Sequence, residues 1–114
     1  MRLVGINWGA LENEINKKVD LIVVAVTSKG IEWAATELSK YIKNSQPILI
    51  LTKGLDVHNE RYEVLVHKTE RLFKEKGIKE LDVSGAGGPC LAKGLANRVH
   101  TSVVFANSNI KSAQ

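Results

Sequence analysis

Two short segments hold the residues best suited to chemistry. Gly85-Ala86-Gly87-Gly88-Pro89-Cys90 lies between an apolar run and a helical stretch, and bare glycine backbone lets a chain come close to a pyrophosphate or another polar ligand. As a G-x-G-x-x-G dinucleotide fingerprint it fails at the third glycine, where Cys90 stands. Pro89 also removes a donor, and no acid follows at the spacing that would hold a ribose hydroxyl. Lys53, between Thr52 and Gly54, closes a buried strand, a place from which a cation points into a ligand crevice rather than across a helix surface. An ammonium there suits a phosphate or a carbonyl oxygen; the competing reading is a solvated turn lysine.

The other reactive side chains do not assemble into a site. Cys90 precedes a helix without a positioned histidine as base, so it lacks the partner that activates a nucleophilic thiol. His58, His67 and His100 fall in three different elements without metal-ligand spacing. Trp8 and Trp33 read as packing residues, and neither a Ser/His/Asp triad nor a paired-carboxylate site is legible.

The elements that must position Lys53 and the glycines alternate between strand and helix. Leu3–Asn7 reads as a short strand and Ala10–Lys18 as a short polar helix. Asp20–Val26 is a β-branched apolar run without polar alternation, the pattern of a strand covered on both faces. Ser28 stands where a helix N-cap belongs, and Ile31, Ala34, Ala35, Leu38 and Ile42 recur at helical spacing up to Asn44-Ser45. Pro47–Thr52 is a second unalternating strand. A helix is expected over Glu60–Lys76, with Tyr62, Leu65, Val66, Thr69, Leu72 and Phe73 on one face, an ion pair Glu70–Lys74 on the other, and Gly77 as its stop. Leu81–Ser84 then reads as a strand, Gly85–Pro89 as a loop, Cys90–Asn97 as a helix and Thr101–Ala106 as a last strand, with a frayed tail after Asn107.

This order predicts right-handed βαβ crossovers and a three-layer α/β domain with a mostly parallel sheet. Open parallel sheets bind ligands beyond the carboxyl ends of their strands, which singles out the loops Thr27–Gly30, Lys53–Leu55 and Gly85–Cys90. With 114 residues, 44% hydrophobic, no repeat and no linker, the chain is expected to form one unit over residues 1–114. Its longest apolar run, Leu21–Val26, falls far short of the roughly 18 residues of a membrane-spanning helix. The absence of a signal-peptide pattern and the single cysteine point to a cytoplasmic, disulfide-free protein. A net charge of +4 with Lys and Glu intermixed argues against nucleic acid as a partner. The charge is nonetheless uneven: Asp82 is the last acid, and Lys93, Arg98 and Lys111 follow it, so the final third is either an ordinary basic surface or a shallow anion site.

Several co-linear segments carry a resemblance. Asp20-Leu-Ile-Val-Val-Ala-Val-Thr-Ser28, Leu51-Thr-Lys-Gly-Leu55, Val83-Ser-Gly85, Gly88-Pro-Cys-Leu-Ala-Lys93 and Thr101-Ser-Val-Val-Phe-Ala106 resemble, in order and spacing, the second half of the nucleotide-binding domain of NAD(P)-dependent sn-glycerol-3-phosphate dehydrogenases. The resemblance covers residues 20–106, and more weakly Ile6-Asn-Trp8. It implies a Rossmann-like, mostly parallel sheet, incomplete because only the second half of a dinucleotide-binding fold is matched. It further implies that Lys53 contacts both NAD or NADP and a small phosphorylated substrate, that Gly88 and Cys90 line the glycerol-phosphate site, and that Thr27, Ser28, Lys29 and Ala92 lie against the cofactor. Cys90 departs from the family's usual Ser or Thr, and Gly85-Ala-Gly-Gly is richer in glycine than its usual approach, which leaves the local loop path open.

In that family the glycine-rich fingerprint lies on the first strand, and the catalytic base is a lysine of a helical C-terminal domain. The resemblance therefore implies a truncated or split domain with no catalytic residue of its own, weak or absent NAD binding and no turnover alone. Without the family's first strand, Asp20–Val26 becomes a sheet edge, and an apolar edge favours a homo-oligomer or a complementing polypeptide. The alternative reading is a non-catalytic α/β module that holds a phosphorylated metabolite at Lys53 and Gly88. A third is a small oxidoreductase that uses Gly85–Gly88 for its cofactor.

Overall fold

A computed structural model describes residues 13, 15, 19–42 and 45–114. The strand expected at Leu3–Asn7 lies outside these residues, as does most of the helix expected at Ala10–Lys18, of which Asn13 and Ile15 are helical.

β1 (Ile22–Val24) leads through a short 3-10 turn at Ser28–Gly30 into α1 (Ile31–Leu38), and β2 (Pro47–Ile50) follows. A hairpin of β3 (Leu55–His58) and β4 (Arg61–Val64) precedes α2 (Leu65–Glu75). β5 (Asp82–Gly87), α3 (Ala92–Ala96), β6 (Val104–Ala106) and α4 (Ile110–Ala113) complete the chain. The main sheet has the order β1-β2-β5-β6, with β1, β2 and β5 parallel and β6 antiparallel to β5. This is the expected α/β class with a mostly parallel sheet.

Strand alternation explains the core. Ile22, Val24, Ile48, Ile50 and Val83 point one way and are buried against Ile31, Ala34, Ala35 and Leu38 of α1 and Phe73 of α2. The two parallel crossovers move along the sheet in the same direction, so right-handedness puts both helices on one face, where they touch each other. Complete burial of Ile50 and Phe73 contributes roughly 2 kcal/mol of transfer free energy apiece. Residues of opposite parity are less covered: Val23 is 49% exposed and Phe105 51%. The expectation that Asp20–Val26 is covered on both faces therefore fails among the described residues, where β1 is also the outer strand of the sheet.

Ser28 does not cap α1. Gly30 N–H donates to the Thr27 carbonyl at 2.8 Å and Ile31 N–H to Ser28, so the 3-10 turn satisfies these donors without a side chain. The helix expected from Glu60 begins at Leu65, because Leu55–Val64 forms the hairpin instead. Asn59 and Glu60 adopt φ of 50° and 63°, the two left-handed residues of a type I′ turn, and Tyr62, assigned to the helix's apolar face, is 83% exposed on β4. From Leu65 the reading holds. Leu65, Thr69 and Phe73 are buried, and Gly77 at φ 89° ends the helix, with Ile78 N–H bonded to the Phe73 carbonyl. The expected Glu70–Lys74 pair is replaced by Arg71–Glu75 at 3.1 Å. β5 extends through Gly85–Gly87, which shortens the expected loop, and the expected Cys90–Asn97 helix contracts to Ala92–Ala96. The last strand begins at Val104 rather than Thr101. The tail expected to fray is pinned: Asn107 donates to Asp82 at 2.7 Å and to Ser84 at 2.8 Å, and Ser112 donates to Asp82.

The hairpin turns its charged face inward. Asp56 and Glu63, opposite each other in register, meet Lys68 and Arg71 of α2, while Leu55, Val57, Tyr62 and Val64 face out. The Lys68 hydrogen bond holds the Asp56 carboxyl below its ordinary 3.8, and the Arg71 hydrogen bond holds Glu63 below 4.5. Depressed folded values mean that both contributions are complete at neutral pH and vanish as pH falls through them. Acidification below about pH 4 is thus expected to release the hairpin before the sheet unfolds, read by NMR as loss of amide dispersion over residues 55–64 while the Ile48–Ile50 signals persist. Glu63→Gln is expected to weaken the same attachment at neutral pH by about 1 kcal/mol in a double-mutant cycle with Arg71→Gln.

Candidate functional site

Parallel pairing of β1, β2 and β5 sets their carboxyl ends side by side. Val24 pairs with Ile50, and Ile50 with Gly85, so the segments that follow emerge at one edge of the sheet. Two further hydrogen bonds stitch the first two of these segments together. The Thr52 hydroxyl donates to the Val26 carbonyl, and Leu51 N–H donates to the Val24 carbonyl at 3.0 Å.

Lys53 reaches across to the third loop. Its ammonium donates to the Gly88 carbonyl at 2.7 Å and to the Cys90 carbonyl at 2.8 Å. The structure thus brings together Lys53, Gly88 and Cys90, drawn from two separate segments, as the resemblance implies. An ammonium has three donors; two are used here, and one remains at this exposed position for an oxygen of a ligand. The carbonyls also hold the flexible lysine stem in one geometry, which lowers the ordering cost of binding.

Gly88 is required at its position. Its φ is 100°, and a Cβ there would lie 2.8 Å from the Ser102 carbonyl oxygen. Gly54, at φ 137°, turns the chain directly after Lys53 and sends it into the hairpin. Thr27, Ser28 and Lys29 form the exposed turn after β1, joined to the Lys53 segment through the Val26–Thr52 bond. Ala92, exposed, opens α3 two residues beyond Cys90. The late cations do not converge: Lys93 lines an open hollow of about 540 Å³ with Pro89, Asn97, His100 and Ser102, without Arg98 or Lys111.

Sequence reasoning missed Thr52, which joins the first two loops, and the ion pairs behind them. Lys68, buried, donates to Glu32 at 2.8 Å and also to Asp56. Donation to Asp56 first and to Glu32 second raises the pKa of its ammonium above the ordinary 10.5, against the opposing effect of burial. A signal was present: Lys68 shares the helical phase of Leu65, Thr69 and Phe73, and a cation in an apolar stripe needs a buried partner.

A cation held by two carbonyls beside a bare glycine, beyond the carboxyl ends of parallel strands, fits oxygens of a phosphorylated ligand or of a nicotinamide carboxamide. A family model described as the NAD-dependent glycerol-3-phosphate dehydrogenase N-terminus matches residues 11–113. The chain belongs to this dehydrogenase family. It is 34% identical over 95 residues to the glycerol-3-phosphate dehydrogenase (NAD(P)+) of Francisella tularensis subsp. novicida, an alignment covering 83% of this chain and 26% of the relative. It is 28% identical over 96 residues to the enzyme of the same name from Oceanobacillus iheyensis, covering 84% and 26%. The dehydrogenase-family chain thus spans about a quarter of the length of the curated relatives it matches. A crystal structure of glycerol-3-phosphate dehydrogenase from Coxiella burnetii superposes with a TM-score of 0.67 at 22% identity, covering 89% of this chain and 28% of that one, and shares the fold.

Gly88→Ala is expected to destabilise the dehydrogenase-family chain by about 1–3 kcal/mol, read in urea unfolding, because it combines a left-handed φ with a backbone clash. Gly94→Ala, with its nearest neighbour for a Cβ at 4.0 Å, is the control and is expected not to destabilise.

Proposed function

We propose that residues 1–114 form one unit that builds the substrate side of a crevice for NAD(P) and a three-carbon phosphate ester. When bound, NAD(P)H would supply the hydride, and a group outside the described residues the proton, for the parent reaction, the reversible reduction of dihydroxyacetone phosphate to glycerol 3-phosphate, with no turnover expected of this chain alone. Lys53 binds a substrate oxygen through its remaining donor and lies in contact with the cofactor, while Gly88 and Cys90 line the substrate's side. Thr27, Ser28, Lys29 and Ala92 lie against the cofactor. No described residue is placed as a base, so in this reading these residues bind and orient. The single observation that supports it is the convergence of Lys53 on the Gly88 and Cys90 carbonyls at 2.7 and 2.8 Å, in a family named for this substrate.

Isothermal titration of the 114-residue chain with sn-glycerol 3-phosphate and with NADH tests it. Binding of the phosphate ester is expected, and Lys53→Met is expected to weaken it by about 10- to 100-fold, the cost of one charge-assisted hydrogen bond. No heat with either ligand, or equal affinity in Lys53→Met, overturns the proposal. Weak or absent NADH binding by the chain alone agrees with both readings; phosphate-ester binding with no turnover after a fingerprint segment and a helical domain are supplied favours the alternative, a non-catalytic module holding a phosphorylated metabolite, and the exposure of Lys53 is the feature consistent with it.

Self-association is part of the same proposal. Half-exposed Val23 lies in β1, the outer strand of the described sheet, and half-exposed Leu21 directly precedes it, and apolar edges of this kind recruit another chain. Light scattering at high concentration is expected to give a dimer or larger species, or a complex with a complementing polypeptide; a monomer in both settings rejects it.

A further inference from the structure

The hairpin that follows Lys53 has no apolar anchor on its outer face. Leu55, Val57 and Tyr62 are 61%, 62% and 83% exposed, and inward contacts are made by Asp56 and Glu63. Lys53 therefore stands at the base of an element fastened by charge. The fastening residue for β3 is Lys68, whose side chain is 7% exposed, against 42% for Asp56 and 67% for Glu32. Asp56 lies three residues beyond Lys53, and Glu32 lies two residues beyond the Ser28–Gly30 turn. One buried ammonium on a helix anchored by Phe73 and Leu65 thus grips the chain just after each of two crevice loops.

We propose that Lys68 is a positioning residue: it couples the Thr27–Gly30 loop to the Lys53 loop and so fixes where the Lys53 ammonium sits. The proposal rests on the crevice reading above for its meaning, although the coupling itself is a property of the fold. Lys68 does not touch the crevice and acts through its neighbours. Losing either carboxylate leaves the buried ammonium under-compensated, so a disturbance at one loop passes to the other. Replacing Lys68 by methionine keeps the packed stem and leaves two carboxylates that water can solvate, which permits the coupling to be cut without an orphaned buried charge. With the grip gone, β3 swings on Gly54, and Lys53 loses its fixed reach to the Gly88 and Cys90 carbonyls.

Amide hydrogen exchange on the 114-residue chain tests the coupling without any ligand. In Lys68→Met, the amides of Gly30, Ile31 and residues 55–58 are expected to exchange at least about tenfold faster, while those near Ile50 and Phe73 stay protected. Lys68→Arg is expected to restore slow exchange. Glu32→Gln is the sharper variant: Glu32 bonds to no hairpin residue, so faster exchange at residues 55–58 arises only by passage through Lys68. It also serves should Lys68→Met fail to fold. Unchanged exchange at 55–58 in Glu32→Gln, or loosening confined to one loop in Lys68→Met, overturns the proposal.

Titration with sn-glycerol 3-phosphate supplies the second readout. Lys68→Met is expected to weaken binding about tenfold, and Lys53→Met/Lys68→Met to bind no worse than Lys53→Met alone, because Lys68 works through Lys53. Additive losses in that cycle overturn the positioning role. If the unaltered chain binds no phosphate ester, the functional reading fails, and the exchange measurements alone decide whether the two loops are coupled.

Discussion

Parallel register is the constraint on which the rest of this structure depends. Because Val24, Ile50 and Gly85 lie in one row of the sheet, the segments leaving β1, β2 and β5 must share one end of it. The row is held by burial of one face only: Ile22, Val24, Ile48, Ile50 and Val83 pack under α1 and α2, and the two crossovers need the same handedness to achieve this. Lys53 meets the Gly88 carbonyl because two adjacent strands end there, despite a separation of 35 residues along the chain. A one-residue slip of β2 would turn Ile48 and Ile50 away from the helices and carry Lys53 with them, so core packing and site geometry are selected by the same register.

The legible part of the fold was the part governed by that burial. β1, β2, the buried positions of α1, the buried face of α2 from Leu65 onward and the Gly77 stop follow from apolar periodicity and one glycine, and each stands where periodicity places it. The hairpin was hidden for two physical reasons. Its turn uses Asn59-Glu60 rather than a glycine, and Tyr62, Leu65, Val66 and Thr69 happen to fall at helical spacing although Tyr62 belongs to a strand. Its alternation, Leu55-Asp56-Val57-His58, was present, but its apolar side faces outward, opposite to the ordinary rule. Ser28 misled for a related reason: a 3-10 turn satisfied by backbone carbonyls makes a cap side chain unnecessary.

The candidate site divides along the same line. Lys53, Gly88 and Cys90 were accessible to reasoning because strand ends are where a parallel sheet presents its loops. What joins the Thr27–Gly30 loop to the Lys53 loop was not. The Thr52 hydroxyl and the Lys68 ammonium act between elements distant in sequence, 26 residues in the first case and 36 between Lys68 and Glu32. Only the phase of Lys68 in an apolar stripe pointed to a buried pair, without identifying its partners.

Opposite solvation suits the two lysines to the different roles proposed for them. Lys53 is exposed and bonded to neutral carbonyls, so its charge is not cancelled and an anionic ligand still feels it. Lys68 is buried between two carboxylates, so its charge is neutralised inside the protein and reaches no ligand. A carboxylate beside Lys53 would lock that side chain more firmly than carbonyls do, but it would also repel a phosphate at the same point. Carbonyl dipoles fix the ammonium's position while leaving its net charge intact, and that combination is what separates an anion-binding lysine from a structural one.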